Sequence, residues 1–228
     1  YTCTEDGHPL LSETIDGSPE MIGGYRLDFL LDSGVKGDTY RAHQTAFGRS
    51  CLITVSRTSD ETPFLSEAKL AASLFHPNLA DVYEAGTLKT GECFVVSEDP
   101  EDETLRHRLQ NRGPLALLDT IEIIRQAAEA LYALHQSSLV HRALRPENII
   151  LGSGDRTARI QNIDFAGVAE RSIISNKFLI DSAIDSIRYF APEQCAGEPV
   201  SEKTDIYSLG IILYEMLAGS PPFDAATA

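Results

Sequence analysis

The sequence predicts a mixed α+β fold, with strands in its first part and helices in its second part. Residues 25–31 alternate between apolar and polar side chains, and residues 51–55 are rich in β-branched side chains; both patterns are typical of strands. Residues 119–135 instead place apolar side chains three and four positions apart, the spacing of an amphipathic helix. With 228 residues, 43% of them hydrophobic, the chain can build one large domain or two small lobes.

The chain is acidic, and its charge narrows the range of expected partners. The formal net charge is -15 at pH 7. An acidic surface repels nucleic acid and anionic membranes, so neither is expected as a partner. A basic protein partner would suit this charge, although an acidic surface also serves solubility alone.

The cysteines and the hydropathy indicate a cytoplasmic protein. Cys3, Cys51, Cys93 and Cys195 lie far apart and show no pairing pattern, which is typical of reduced thiols. No apolar run approaches the ~18 residues that a membrane-spanning helix needs, and no signal peptide opens the chain. We therefore expect no direct membrane contact in this segment.

Residues 1–24 are rich in Gly, Pro, Ser, Thr and acidic side chains and have little periodicity. This composition predicts a linker or the tail of an upstream module. Residues 3–7 are similar to the last knuckle of a zinc ribbon, but the three further ligands of such a site are missing. No zinc site is expected within this chain.

The first strand is predicted to lead through a turn that contains Gly34 and Gly37 into a second strand. Glycines let a backbone approach the phosphates of a nucleotide, because no side chain intervenes. An ordinary hairpin turn also uses glycine, so these two residues alone do not indicate a nucleotide site.

Further elements follow in order along the chain. Residues 51–55 predict a central strand, residues 64–75 a helix entered after Pro63, and residues 82–83 and 93–96 two more strands. In the second part, the helix over 119–135 is predicted to place these residues on roughly one face: Ile121, Ile124, Ala128, Leu131 and Leu134. Another helix is predicted over residues 203–217, with Thr204 and Asp205 as its cap.

The segment between these two helices carries motifs of a known enzyme family. Residues 141–148 read H-R-A-L-R-P-E-N and resemble H-R-D-L-x-x-x-N, the catalytic loop of eukaryotic-type protein kinases. Asp164-Phe165-Ala166 resembles the kinase D-F-G motif, and Ala191-Pro192-Glu193 matches A-P-E. The likeness covers residues 25–228 and looks most like the bacterial Ser/Thr kinases.

The resemblance implies a bilobal, protein-kinase-like α+β fold. Residues 25–99 would form the N-lobe, a small antiparallel β-sheet with one helix. Residues 100–228 would form a mainly helical C-lobe that is truncated, because the last helices of that lobe are missing. The resemblance also implies ATP and Mg²⁺ as cofactors, if nucleotide is bound at all.

Several positions that would hold ATP differ from the family's pattern. Gly34 and Gly37 match the second and third glycines of the Gly-rich loop, but Asp32 replaces the first glycine and Thr39 replaces the valine. An aspartate there would repel a triphosphate.

The strand that follows departs from the pattern at two more positions. Thr54 stands where the family has the lysine that holds the phosphates, and Leu52 replaces the small alanine above the adenine. Glu67 matches the acidic residue that pairs with that lysine. Without the lysine, Glu67 is either solvated or paired with another base such as Lys36.

Residues 97–100, which include Glu98, would form the hinge between the lobes. Their backbone could still hydrogen-bond a purine, because main-chain groups do not depend on side-chain identity.

The catalytic positions show one loss among several matches. Ala143 stands at the position of the catalytic aspartate, so catalysis is not expected there. Arg145 replaces the usual lysine and keeps the positive charge. Asn148 and Asp164 match the residues that bind Mg²⁺ in the family. Ala166 replaces the glycine of D-F-G and is expected to restrict the conformations of that turn.

Other matching residues have structural roles in the family: His141, Phe165, Glu193 and Asp205. The resemblance implies that Asp205 ties its helix to the backbone of the 141–148 loop. It also implies that His141 packs in the core, the alternative being a catalytic base. Arg142 would pair with a phosphorylated activation segment. Serines that are candidates for such phosphorylation lie in the segment 167–188: Ser172, Ser175, Ser182 and Ser186. Exposed loop serines are common, so their presence alone does not show modification.

The chain lacks two groups of the family's catalytic site, because Thr54 replaces the lysine and Ala143 replaces the aspartate. Further positions beside them also depart from the pattern. These departures favour a pseudokinase that acts as a signalling scaffold or allosteric module. A protein partner, such as an active kinase, would then be expected. The alternatives are an atypical active Ser/Thr kinase and a nucleotide sensor that binds ATP without turnover.

Overall fold

A computed structural model describes residues 21–34, 37–56, 61–100, 102–152, 157–167 and 185–223. This structure divides into two compact units. The first contains the described residues up to 72 together with residues 81–99. The second contains residues 73–80 and the described residues from 100 onward.

A six-stranded antiparallel sheet forms most of the first unit. Its strands are β1 (Met21–Ile22), β2 (Tyr25–Gly34), β3 (Gly37–Gln44), β4 (Arg49–Ser56), β5 (Val82–Thr87) and β6 (Cys93–Glu98). Their order in the sheet is β1-β2-β3-β4-β6-β5, so that β4 lies between two neighbours. The strands predicted from alternation and from β-branched residues are confirmed.

Helix α1 (Glu61–Ala72) packs on β5 and β6. It begins and ends three residues earlier than predicted. Pro63 lies inside its first turn, where a proline removes no helical hydrogen bond, because the first N–H groups of a helix have no partner within it. The buried side of the helix is formed by Phe64, Ala68 and Ala71.

The hydrophobic core of the first unit lies against one face of the sheet. Cys51 and Ile53 of β4 belong to it, together with Ile22, Tyr25, Leu27, Ala42, Phe94 and Val96. Because side chains alternate along a strand, Leu52 and Thr54 lie on the other face of β4. The positions that the resemblance assigns to ATP therefore share one face.

The second unit combines a small sheet with several helices. Its elements are β7 (Glu103–Thr104), α2 (Leu105–Arg112), α3 (Leu117–Gln136), β8 (Ile149–Leu151), β9 (Ala158–Ile160), α4 (Pro192–Ala196) and α5 (Glu202–Ala218). The three strands form an antiparallel sheet in the order β7-β8-β9. Short 3₁₀ turns cover Pro146–Asn148 and Phe165–Gly167.

Residues 73–80 belong to the second unit because Asn78 is anchored there. Its side-chain Nδ2 donates to Gln126 Oε1 at 2.8 Å and to the Ala158 carbonyl at 2.8 Å. Asn78 is itself buried, so these bonds satisfy a polar group that would otherwise be costly to remove from water.

The buried face of α3 agrees with the prediction only in part. Leu131 and Leu134 are fully buried as predicted, but Ile121 is 52% exposed. Other fully buried positions are Ile123, Ala127 and Ala130. The prediction gave weight to bulky side chains, but α3 packs on α5 and β9 through a stripe that includes small alanines. Small residues allow closer approach of the packed elements, so the helix turns that side inward.

Helix α5 is capped by Ser201, so the prediction of a cap at Thr204 and Asp205 is wrong. The Ser201 N–H donates to the Thr204 hydroxyl at 3.1 Å, and the Thr204 N–H donates to the Ser201 carbonyl at 3.0 Å. None of the helices in the described ranges is long and apolar enough to cross a membrane. The predicted α+β fold, a sheet followed by a mainly helical part, is confirmed.

Candidate functional site

Gly37 is required by the packing of the β2–β3 hairpin. It pairs with Gly34 across the hairpin, and its φ of +136° is one that other residues rarely adopt. A Cβ at Gly37 would lie 1.9 Å from the Val55 carbonyl oxygen. The close approach of β4 therefore explains this glycine without a nucleotide. Val35 and Lys36 lie outside the described residues.

Thr54, at the position of the phosphate-binding lysine, is hydrogen-bonded to a second departure from the kinase pattern. Thr39 and Thr54 are direct partners in the pairing of β3 and β4. Their hydroxyl oxygens lie 3.0 Å apart. A lysine and a valine at these positions would form no such bond, so the two replacements are complementary.

We call the sheet face that carries Thr39, Leu52 and Thr54 the Thr54 face. Strand pairing also places Asp32, Arg41, Val95 and Ser97 on it. Arg41 lies on this face, and its Nε is 2.7 Å from Asp99 Oδ2. Strand pairing also places Arg26 and His43 on this face, and both contact Asp28. The Arg41 guanidinium also lies over the Phe29 ring, 5.3 Å from its centroid. The charge of Arg41 is thus directed at Asp99, away from Thr54.

Leu52, at the position of the small alanine, is 7% exposed. It pairs with Arg41 on one side and with Ser97 on the other. A leucine fills volume on the Thr54 face that an alanine would leave open.

Glu67 lies on α1 and is partly buried. The hydroxyl of Thr54 cannot form an ion pair with it. Lys36, the other base considered as its partner, lies outside the described residues, so both interpretations of Glu67 stay open.

The hinge offers fewer backbone donors than the sequence suggested. The Glu98 N–H donates to the Asp81 carbonyl at 2.9 Å, and the Glu98 carboxylate accepts from the Asp81 N–H at 3.2 Å. Pro100 has no N–H group. Two of the four hinge residues therefore have no backbone N–H available to a purine.

In the second unit, Asp205 holds the backbone of the 141–148 loop. This aspartate is 0% exposed. Its carboxylate accepts hydrogen bonds from the N–H groups of His141 at 2.8 Å and Arg142 at 2.9 Å. His135 Nε2 lies 2.7 Å from the same carboxylate. Charged acceptors form strong hydrogen bonds with backbone N–H groups, so Asp205 fixes the start of the loop.

His141 is fully buried and connects the loop to the segment around Asp164. The His141 carbonyl accepts from the Asp164 N–H at 3.0 Å, and the His141 ring Nε2 lies 2.9 Å from the Gln161 carbonyl. Because a carbonyl can only accept, the Nε2 atom of His141 is the donor in this contact. These bonds hold His141 in place between the loop and the segment around Asp164.

Ala143 has a methyl group where a catalytic carboxylate would be. Its N–H donates to the His141 carbonyl at 2.8 Å, and its carbonyl accepts from Asn148 Nδ2 at 2.7 Å. The loop therefore keeps a closed hydrogen-bonded shape around a residue that can neither accept nor donate a proton through its side chain.

Asn148 and Asp164 are the residues that could hold Mg²⁺ in this unit. Asp164 is 2% exposed, and its carboxylate is chemically suited to a dication. The Asn148 side-chain oxygen already accepts from Asn162 Nδ2 at 3.1 Å. In the described part of the chain, no group of three or more His, Cys, Asp and Glu residues is placed to hold a metal ion. One of the two expected ligands is therefore already engaged.

The turn at Phe165–Gly167 contains an unexpected backbone conformation. Ala166 has φ 57° and ψ 14°, in the left-handed region. Alanine was expected to resist such conformations, and Ala166 nevertheless adopts one here. The conformation costs roughly 1–2 kcal/mol for a residue with a Cβ. Phe165 beside it is 5% exposed and packs in the core.

Arg145 donates from its Nη1 to the Ser186 hydroxyl at 2.6 Å. Ser186, one of the four candidate phosphorylation sites, is thus partly buried and hydrogen-bonded. Ser172, Ser175 and Ser182 lie outside the described residues. The Arg142 side chain donates to the Asp164 carbonyl at 3.0 Å.

Sequence reasoning missed a buried polar network centred on Arg106. Its guanidinium donates to Glu147 at 2.8 Å and to Glu215 at 2.7 Å, and it also contacts the Tyr189 hydroxyl. Tyr189 donates to the second Glu215 oxygen at 2.6 Å. Burial opposes the charge of Arg106, but these hydrogen bonds outweigh it and raise its pKa above the ordinary value. The only sequence signal was Glu215 within an apolar helix.

Glu193 of the A-P-E motif accepts a hydrogen bond from the Thr204 hydroxyl at 2.6 Å. The next residue, Gln194, is 0% exposed and donates to the Arg142 carbonyl at 2.9 Å. These bonds join α4 to the start of α5 and to the 141–148 loop.

The comparisons with known proteins agree with the kinase-like motifs. The family described as "Protein kinase domain" matches residues 26–228. The serine/threonine-protein kinase PknB of Mycobacterium leprae is 32% identical over 216 residues, which cover 90% of this chain and 34% of that protein. The serine/threonine-protein kinase PrkC of Bacillus subtilis is 31% identical over 91% of this chain and 32% of its own length. The chain thus spans about a third of these relatives.

Proposed function

Because this chain belongs to the protein kinase family, we propose that it is a pseudokinase: a kinase fold that acts as a signalling scaffold or allosteric module, with weak or no ATP binding. The matched relatives are named as Ser/Thr protein kinases. This chain departs from the kinase pattern at two positions that act on the phosphate groups of ATP, Thr54 and Ala143.

The hydrogen bond between Thr39 and Thr54 carries this proposal. At the lysine position, a neutral hydroxyl is engaged by its cross-strand neighbour at 3.0 Å. The Arg41 cation on the same face is directed at Asp99. Phosphoryl transfer depends mainly on positioning and on neutralising the charge of the phosphates. The described residues of the Thr54 face supply little of that positive charge.

The loss at Ala143 acts in the same direction. A positioned catalytic base typically contributes ~10²- to 10⁴-fold to the rate. The Ala143 side chain cannot replace it, and the nearby His141 is used for packing and for its contact with Gln161. The effects of losing the lysine at position 54 and the aspartate at position 143 do not simply add. Each loss alone is expected to lower the rate of phosphate transfer strongly.

The loop is nevertheless held in a defined shape. Asp205 fixes two backbone N–H groups of the loop, and Gln194 binds the carbonyl of Arg142. A protein-binding module needs a loop of defined shape but does not need catalytic groups. A protein partner, such as an active kinase, is therefore part of the proposal, and the net charge of -15 disfavours nucleic acid and anionic membranes.

An active Ser/Thr kinase is the second candidate, and two observations favour it. Asp164 keeps a carboxylate suited to a cation, and Arg145 keeps a positive charge beside Ser186. Such a kinase would need a substitute for the catalytic base. Phosphate transfer that Asp164→Asn abolishes would establish this candidate and reject the pseudokinase.

Thermal melting with ATP tests whether nucleotide binds. A ligand that binds only the folded state stabilises it by RT ln(1 + [L]/Kd), so the melting temperature rises with the ligand concentration. We expect no rise at millimolar ATP with Mg²⁺ or Mn²⁺ for the natural chain. A concentration-dependent rise without phosphate transfer would instead indicate a nucleotide sensor. The triple variant Leu52→Ala, Thr39→Val and Thr54→Lys serves as the matched comparison, and it is expected to gain an ATP-dependent rise.

A further inference from the structure

Two side-chain amides are linked in a chain of fixed direction beside the Ala143 loop. Asn148 Nδ2 donates to the Ala143 carbonyl at 2.7 Å, and Asn162 Nδ2 donates to Asn148 Oδ1 at 3.1 Å. A backbone carbonyl can only accept, so the Asn148 amide must present its nitrogen to Ala143 and its oxygen to Asn162. That oxygen in turn requires the nitrogen of Asn162 to face it.

This arrangement conflicts with cation binding at Asn148. A Mg²⁺ ion binds oxygen ligands at about 2.0–2.1 Å and demands near-ideal octahedral geometry. The Asn162 N–H group points its positive hydrogen at the same Asn148 oxygen. Rotating the Asn148 amide does not help, because it would turn the oxygen toward the Ala143 carbonyl. An amide oxygen has two lone pairs, and Asn162 occupies one of them. A cation on the other lone pair would lie beside the positive end of the Asn162 N–H group, so coordination by Asn148 is disfavoured while Asn162 stays in place.

The backbone holds Asn162 in this position. The Gln161 N–H donates to the Asn148 carbonyl at 3.0 Å, which joins the two segments directly next to the amide contact. Asn162 has φ 62°, in the left-handed region. Asparagine tolerates that region better than most residues, so one residue satisfies both the backbone and the amide contact.

We propose that Asn162 is a cation-excluding residue, which keeps the Asn148 side-chain oxygen from Mg²⁺ or Mn²⁺ and so leaves Asp164 without its partner ligand. This inference deepens the proposed pseudokinase function and rests on it. It adds a third obstacle to nucleotide use, separate from Thr54 and Ala143. It also identifies a residue outside the kinase motifs that decides whether the cation site can be filled.

Titration with Mn²⁺ in the absence of nucleotide tests this proposal. Free Mn²⁺ is followed by electron paramagnetic resonance for the natural chain and for Asn162→Gly and Asn162→Asp. Glycine accepts the left-handed backbone and removes the amide without adding charge. It is expected to tighten Mn²⁺ binding about five-fold, the equivalent of one neutral hydrogen bond. Aspartate also tolerates this backbone and replaces the donor by a carboxylate, so a gain of at least about ten-fold is expected.

The gains must depend on Asp164 to support the proposal. Adding Asp164→Asn to each variant is expected to abolish the gain, because the second ligand is then lost. A natural chain that binds Mn²⁺ as tightly as the glycine variant would overturn the proposal. So would a gain in the aspartate variant that glycine does not share, since added charge alone would explain it.

Circular dichroism confirms that each variant is folded. A phosphate-transfer assay decides the proposed function separately, because the Mn²⁺ titration contains no ATP.

Discussion

Thr39 and Thr54 are, at the scale of single residues, two complementary departures from the kinase pattern. They face each other across β3 and β4. The bond between their hydroxyls gives the pair a structural use. A single change at either position leaves the other hydroxyl without that partner.

A double-mutant cycle measures this coupling. Thr39→Val and Thr54→Val are each expected to lower the free energy of unfolding, and the double variant to lower it by less than their sum. The expected coupling is about 0.5–1 kcal/mol, the range for cross-strand pairs. Urea denaturation of the four proteins gives the values. Additive losses would show that the two hydroxyls do not interact.

Ala166 provides a second prediction at the same scale. Its φ of 57° suits glycine, which pays no penalty for a Cβ there. Ala166→Gly is therefore expected to raise the free energy of unfolding by roughly 0.5–1 kcal/mol, despite the greater freedom of glycine in the unfolded chain.

The matched control for Ala166 is Ala128→Gly. Ala128 lies in the middle of α3, where glycine costs about 1 kcal/mol relative to alanine. The two substitutions should thus change stability in opposite directions in thermal or urea unfolding. Destabilisation by both would contradict the left-handed conformation of Ala166.

At the scale of elements, α5 positions the catalytic-type loop through Asp205. This carboxylate accepts from two backbone N–H groups and lies against His135. Asp205→Asn removes the negative charge and one acceptor oxygen, and we expect a loss of at least about 2 kcal/mol. Asp185→Asn is the control, because Asp185 has a side-chain exposure of 77% and pairs only with Arg188 at 3.5 Å among the ion pairs described. Its loss should stay under about 1 kcal/mol.

Backbone hydrogen exchange localises the effect of Asp205→Asn. The N–H groups of His141 and Arg142 should exchange faster in this variant, since they lose their carboxylate acceptor. Unchanged protection at both positions, with stability close to that of the natural chain, would contradict the role given to α5.

The sheet of the first unit gives a prediction for alkaline pH. Burial raises the pKa of the Cys51 thiol to about 11, and burial with a hydrogen bond to Glu84 raises the pKa of Tyr25 to about 12. Both groups hold their protons more tightly in the folded state than in the unfolded state. Their contribution to stability is therefore complete below about pH 9 and is lost as the pH rises from 9 to 12.

Cys51→Val separates these two contributions. Without the thiol, the decline of stability between pH 9 and 11 should become shallower, while the part due to Tyr25 remains between pH 10 and 12. Urea unfolding at several pH values measures both slopes. An identical decline in the variant and in the natural chain would show that Cys51 takes no part.

At the scale of the whole molecule, the sequence predicted the elements better than the contacts between them. The run of β-branched residues predicted β4, and the helical spacing of apolar residues predicted α3. Both patterns depend only on neighbours along the chain. The inward face of α3 was misjudged in part, since it depends on how closely Ala127 and Ala130 let other elements approach. The family resemblance predicted that Asp205 binds the backbone of the 141–148 loop, and the structure confirms it. The contact of Glu193 with the Thr204 hydroxyl was not predicted.

The side-chain contacts that distinguish this site could not be predicted from the sequence. The Thr39–Thr54 hydrogen bond depends on the register in which β3 and β4 pair. A register shift of one residue would turn the side chains of one strand to the opposite face of the sheet. Asn162 lies outside every motif, and only its backbone conformation and its contact with Asn148 reveal it. Arg106 and Glu215 are 109 residues apart in the chain, so no local pattern could join them.

Transfer of radiolabelled phosphate from ATP tests most directly whether this chain is a pseudokinase. The natural chain is incubated with ATP, with Mg²⁺ or Mn²⁺ and with a basic protein substrate, beside Asp164→Asn as the blank. We predict equal, background-level incorporation in both, for the substrate and for the chain itself. Incorporation by the natural chain that Asp164→Asn abolishes would contradict the pseudokinase and establish an active kinase.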